Sequence, residues 1–304
     1  MINILISIAP FFIIIAIGSI LRIFIADDKW VEVLNKFGLY LGFPAIVLTS
    51  FINMDNSLPL KADIIGYNFA ILISIILITF IVTKLLNLDK RVVNTYVICV
   101  FFGNVAYLGF PFITSIIPGS EGIVCVHVAI YLILVFTLGI FILEVSRGHG
   151  VVGIFAVIKS IIKNPLIISV FLGIFIAYFR IEIPIFLKET IQLIASAASP
   201  VVLLALGIFI AKKIEFNRKL THAVCITAIK LILIPAIFFL FFSHFSLEKE
   251  FNISIIQSAM PLAITPFALS EIYPLNKQII AVSIFLSTTV SIITLTLLIS
   301  LLNI

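Results

Sequence analysis

The chain has 304 residues, 62% of them hydrophobic and 11% charged, with a mean hydropathy of +1.34. An ordinary soluble domain is about half apolar and a quarter charged, and so few charges cannot cover a protein of this size in water. The formal net charge of +5 comes from Lys and Arg scattered between apolar runs; without a basic arm or patch this excludes a nucleic-acid-binding protein and leaves the lipid bilayer as solvent.

In chain order, ten apolar stretches recur at 2–25, 34–52, 64–86, 92–117, 123–143, 165–179, 191–211, 220–242, 251–273 and 278–302. Each is close to the roughly 17–25 residues that cross about 30 Å of hydrocarbon. Polar or turn-forming clusters separate them: Asp27-Asp28-Lys29, Asp55-Asn56-Ser57, Asp89-Lys90-Arg91, Pro118-Gly119-Ser120, Arg147-Gly148, Arg180 to Pro184, Lys212-Lys213 and Glu248-Lys249-Glu250. The first run is too long for the core of a signal peptide and is expected to remain as the first membrane helix. Cys99, Cys125 and Cys225 sit singly inside apolar runs and read as packing residues.

Cytoplasmic loops carry the excess of Lys and Arg. Alternate loops hold Arg22, Lys29 and Lys36; Lys84, Lys90 and Arg91; Arg147, Lys159 and Lys163; Lys212, Lys213, Arg218 and Lys219; and Lys277. The other set holds only Lys61, Arg180, Lys188 and Lys249. The expectation is a multi-pass protein of the cell membrane with both termini extracytoplasmic.

Five spans per half place the second half upside down relative to the first. The fold class read here is therefore an all-α membrane protein of ten transmembrane helices, built as two inverted five-helix repeats over 1–146 and 160–304. Pro10 and Gly18 recur as Pro165 and Gly173 at one offset, Pro111 recurs as Pro266 at the same offset, and Pro44 recurs as Pro200 one residue out of step. The fourth span reads Gly103-Asn104-Val105-Ala106-Tyr107-Leu108-Gly109-Phe110-Pro111, and its counterpart, the ninth, reads Ser258-Ala259-Met260-Pro261-Leu262-Ala263-Ile264-Thr265-Pro266. Proline removes an intrahelical hydrogen bond and clashes with a carbonyl one turn back, so both helices are expected to break near mid-membrane. Freed backbone groups survive in oil only where protein or a wet cavity satisfies them. Broken helices at matching positions of two halves point to a transporter site, and the half-helix N-termini favour an anion.

These segments, together with 197–207, Ala259-Met260-Pro261 and Tyr273, resemble the auxin efflux carrier family, whose bacterial members include malonate and malate carriers. The chain is also similar in outline to bile acid and sodium symporters. The resemblance implies that helices 4 and 9 cross at a substrate site, that the fifth helix lies beside it, and that the motion is elevator-like. It further implies a scaffold of helices 1, 2, 6 and 7 with a homodimer contact, and a transport domain of helices 3–5 and 8–10. Glu144 to Asn164 is short, which favours the bacterial organic-acid carriers over plant members.

Asn104, Tyr107, Gly109 and Pro111 are the candidate site residues of the fourth span, with Asn104 and Tyr107 on one helical face. Gln257, Ser258, Pro261, Thr265 and Pro266 are their counterparts in the ninth. The bland reading of the polar members is interhelical hydrogen bonding. Lys230 lies too deep in the eighth span to reach either interface, so it serves anion attraction or coupling, or else bonds carbonyls freed at Pro235 or at a crossover. His127 and Tyr131 share a face of the fifth helix, and His127 is read either as a titrating group or as packing. Glu144 and Glu271 fall near helix ends and read as solvated carboxylates, with Glu271 a minor candidate for coupling. No cofactor or metal is expected; proton or sodium coupling stays open. The expected function is secondary transport of a small organic anion, a mono- or dicarboxylate such as malate or malonate or an auxin-like weak acid, and the expected partners are that anion and the bilayer. No His-Glu-x-x-His or Gly-x-Ser-x-Gly run is present, which argues against an intramembrane enzyme. A sodium-coupled carrier, or a passive channel or receptor, stays as the alternative.

Overall fold

The computed structural model describes residues 2–52, 62–146, 163, 165–212, 219–244 and 249–304. The breaks expected at 55–57 and 147–148, together with Lys61, Lys159, Lys213, Arg218 and Glu248, lie outside the described residues. In order, the helices are α1 Ile2–Phe24, α2 Asp28–Phe37, α3 Phe43–Ile52, α4 Ala62–Leu85, α5 Lys90–Phe101, α6 Phe110–Ile116, α7 Glu121–Leu134, α8 Ile140–Ser146, α9 Pro165–Tyr178, α10 Ile185–Ile210, α11 Leu220–Ala228, α12 Ile234–Phe242, α13 Lys249–Ser258, α14 Thr265–Leu269 and α15 Lys277–Leu302. Among the described residues there is no strand, only one isolated antiparallel bridge between Gly103 and Leu262.

Among the described residues, six stretches are long and apolar enough to cross a bilayer: Asp28–Ile52, Asp63–Leu85, Glu121–Ser146, Ile185–Ile210, Leu220–Phe242 and Lys277–Leu302. Shorter apolar helices occupy Ala9–Phe24, Val105–Ile116 and Ile167–Tyr178. All lie on stretches that hydropathy singles out. Large apolar side chains remain on the outside, among them Ile23, Leu85, Phe171 and Leu193, which is the surface a lipid solvent requires.

Several long stretches are joined through wide π turns at Gly38–Gly42, Val105–Gly109, Val135–Gly139 and Ile229–Leu233. Three of these end two residues before Pro44, Pro111 and Pro235. The proline ring displaces the carbonyl one turn back, and widening that turn keeps the helix running. Asp27, Asp89 and Asn276 cap α2, α5 and α15 by accepting from Lys29 N and Trp30 N, Arg91 N, and Ile279 N respectively. Described residues that flank the basic loops come together at one end. Asp28 pairs with Arg22 and with Lys212 (2.6 Å), Tyr96 bonds His222, and Asn276 N–H donates to Thr95.

One part of the molecule is a close-packed helix stack. α1 lies along α10, and α9 lies against α3. At the first seam a Cβ on Gly207 would stand 2.0 Å from the Ile15 carbonyl oxygen, and one on Gly18 would stand 2.3 Å from the Leu204 oxygen. Only glycine admits backbones this close. At the second seam Gly173 faces the ring of Phe51.

Candidate functional site

The fourth and ninth apolar stretches are both interrupted, and the interruptions meet. α5 stops at Phe101, and the chain passes through Phe102, Gly103 and Asn104 before a π turn leads into α6. α13 stops at Ser258, and six residues intervene before α14. Where the chains cross, Asn104 N–H donates to the Pro261 carbonyl (2.7 Å) and Ala263 N–H donates to the Phe102 carbonyl (3.0 Å). Each break thus satisfies directly backbone groups freed by the other. From α15, the Ser287 hydroxyl accepts from Leu262 N–H (3.1 Å).

The first break falls at 102–104 rather than at Pro111, because the wide turn over Val105–Gly109 absorbs the proline. Asn104 therefore caps a half-helix at φ −77 and ψ 52, and the helical spacing that put it on one face with Tyr107 does not apply. Its carboxamide has no hydrogen-bond partner among the described residues, although the residue is 5% exposed.

Lys230 is 1% exposed and reaches the crossing from the π turn between α11 and α12. Its Nζ donates to the Ser258 carbonyl (3.2 Å), and a Cβ on Gly103 would stand 3.0 Å from the ammonium. This glycine is what lets the cation lie against the break. No carboxylate pairs with Lys230 among the described residues. Gln257 donates to the Val105 carbonyl (3.1 Å), while its Oε1 is buried without a partner among the described residues and packs on Gly109. Ser258 donates to Ile255 in its own helix (2.6 Å). Pro261 and Pro266 are buried and Thr265 is half-buried.

The remaining candidates divide. Tyr131 is buried in α7, its hydroxyl lacking a partner among the described residues. His127, one turn earlier, bonds Ser254 of α13 (2.7 Å), and Ser254 also accepts from Asn68 of α4 (3.0 Å). Glu271 is exposed, pairs with Lys277 and lies away from the crossing. Glu144, expected to be solvated, is 6% exposed and accepts from the Tyr273 hydroxyl (2.8 Å). The return of the chain after α14 covers it.

A cavity of about 890 Å³ lies between the close-packed helix stack and the broken helices. Phe11, Ile46, Thr49, Ser199, Pro200 and Leu203 form one wall; Phe110, Pro111, Thr114, Ser115 and Ile123 form the other. Ser115, Gly119, Glu121 and Ser196 are exposed at its rim, at the end opposite the basic loops. Pro111 is the one sequence-predicted site residue in its lining. Tyr107 packs edge-on to Phe43 (centroids 5.9 Å) and against Gly38. Nearer the basic end, Phe209 of α10 meets Phe267 of α14 (4.7 Å). Sequence reasoning missed the cavity hydroxyls, although Ser196 and Ser199 at i and i+3, and Thr114 one turn after Pro111, carried a periodic signal.

A stack of helices, two interrupted helices crossing on a buried cation and a cavity between them define a polytopic membrane transport protein. The model of the membrane transport protein family matches residues 3–299, and the chain belongs to that family, the auxin efflux carriers. It is similar to an uncharacterized transporter of Methanocaldococcus jannaschii, at 24% identity over 92% of this chain and 93% of the relative. It is also similar to an uncharacterized transporter of Methanothermobacter thermautotrophicus, at 22% identity over 93% of each.

Proposed function

We propose that the chain is a secondary transporter of a small organic anion, a mono- or dicarboxylate such as malate or malonate, that binds where the two broken helices cross. The observation that carries this reading is the Lys230 ammonium, buried at the crossing against Gly103 with one hydrogen bond to the Ser258 carbonyl. An intramembrane cation is costly unless something compensates it, and a carboxylate with its charge-assisted hydrogen bonds does so.

In this reading the basic end is cytoplasmic and both termini are outside. Residues 1–146 and 160–304 are inverted repeats. The reciprocal packing of α1 on α10 and of α9 on α3 supports that symmetry, since each pairs the first element of one half with the second of the other. α1–α3, α9 and α10 form the scaffold and carry the homodimer contact, and the remaining helices form the moving body. The cavity lined by Pro111 is the external approach. Tyr107 with Phe43, and Phe267 with Phe209, close the cytoplasmic side, so the conformation faces outward. Elevator-like sliding of the crossing past Gly38 and Phe43 exposes it inward.

Counterflow of labelled malonate or malate in proteoliposomes tests this. An alternating-access carrier accelerates labelled uptake when unlabelled anion is trapped inside. Uptake indifferent to trapped anion identifies a channel instead.

A further inference from the structure

The polar contact that joins α4, α7 and α13 is not used by the anion site. His127 is 3% exposed, and both ring nitrogens are engaged: Nδ1 faces the Ile123 carbonyl (2.9 Å) and Nε2 faces the Ser254 hydroxyl (2.7 Å). A carbonyl only accepts, so Nδ1 carries hydrogen in every protonation state and Nε2 is the free position. Ser254 has two acceptors within reach, Nε2 and the Glu250 carbonyl (3.1 Å). The Asn68 amide, itself tied to the Ile64 carbonyl (2.9 Å), donates to the Ser254 oxygen from the third side.

We propose that His127 and Ser254 form a proton-binding site within the moving body of the carrier. In the neutral ring, Ser254 O–H donates to Nε2. When a proton from water adds to Nε2, the new N–H donates to the Ser254 oxygen, and the hydroxyl swings to the Glu250 carbonyl. One N–H bond forms as one O–H bond of a hydronium ion breaks and leaves a neutral water, and in both states the His127 ring and the Ser254 hydroxyl keep their hydrogen bonds with the heavy atoms in place. Such a site takes up and releases charge without repacking, which a buried histidine with one fixed partner cannot do. The proposal rests on the carrier reading for its meaning: a proton bound here travels with the anion and offsets its charge.

Few other groups titrate around it. α13 supplies Glu250 and Lys249. α4 supplies Asp63, Tyr67 and Lys84, α9 supplies Tyr178, and the turn over 105–109 supplies Tyr107. α7 itself adds Glu121, Cys125 and Tyr131, while α3 and α6 carry none. Asp63, Glu121 and Glu250 stand at or near the ends of their helices away from the basic loops, where they can pass protons from outside.

The test is ¹⁵N NMR of ring nitrogens in the full chain, purified in detergent, with His149→Gln, His222→Gln and His244→Gln leaving one histidine. The expected result is the Nδ1–H tautomer at about pH 8 and a doubly protonated ring at about pH 5. Ser254→Ala should move the Nε2 resonance and leave Nδ1 in place. A ring that stays singly protonated across that range, or that carries its hydrogen on Nε2 when neutral, overturns the proposal. Malonate counterflow is scored separately in the unmodified protein, so its absence counts against the carrier and not against the proton site.

Discussion

The α1–α10 seam and the crossing of the two broken helices both bring backbones into close approach, by opposite means. At the seam the means is absence: Gly18 and Gly207 remove every side-chain atom, and the Ser19 hydroxyl donates to the Gly207 carbonyl (3.0 Å) across it. At the crossing the means is exchange, with N–H groups of one break donating to carbonyls of the other and an ammonium placed over the junction. Close packing of this kind is stiff and tolerates no inserted atoms. The crossing retains unspent hydrogen-bonding capacity at Asn104, Gln257 and Lys230, which is what a ligand needs. The contrast assigns stability to the seam and binding to the crossing.

Substitutions can break that division. The largest effect is expected from Gly207→Ala, whose new methyl carbon collides with the Ile15 carbonyl. It should lower stability by about 3 kcal/mol, at the upper end of overpacking effects, as a drop in unfolding temperature in detergent. Next is Lys230→Met, which removes a charge-assisted contact worth about 1.5–3 kcal/mol. Carboxylate affinity should then fall roughly ten- to a hundredfold, measured by titration calorimetry, with the fold intact. Asn104→Ala removes a neutral hydrogen bond and should weaken binding roughly tenfold or less, with an unfolding temperature equal to that of the parent. Glu121→Gln at the cavity rim should change uptake by less than about twofold, a difference that disappears in high salt. Loss of binding in Gly207→Ala at temperatures where the protein stays folded would blur the division between the two regions.

Much of this was readable in the amino-acid order. The apolar stretches announce the helices, and Pro44, Pro111 and Pro235 announce disturbed backbone. Lys230 stands out because nothing else charged lies so deep in a span. The exact form of each disturbance was not readable. Proline at 111 does not itself break the helix, since a wide turn absorbs it, and the true gap at Gly103 depends on a chain 159 positions away at Leu262. In the same way Asn68 and Ser254 look like ordinary small polar residues until three helices bring them to His127. Glu144 reads as a surface carboxylate until Tyr273 folds back over it. Local rules fix periodicity and punctuation; partners across the bundle are set by packing that no single segment encodes.

A carboxylate is expected to complete the coordination of Lys230 at the crossing. Thermal unfolding of the purified protein against a panel of mono- and dicarboxylates including malonate and malate, run beside Lys230→Met, tests it most directly, because a ligand that binds only the folded state raises its unfolding temperature. A concentration-dependent rise is expected in the parent protein, and in a folded Lys230→Met variant the same rise only at roughly ten- to a hundredfold higher ligand. An equal rise in both at the same ligand concentration would place the anion elsewhere and contradict it.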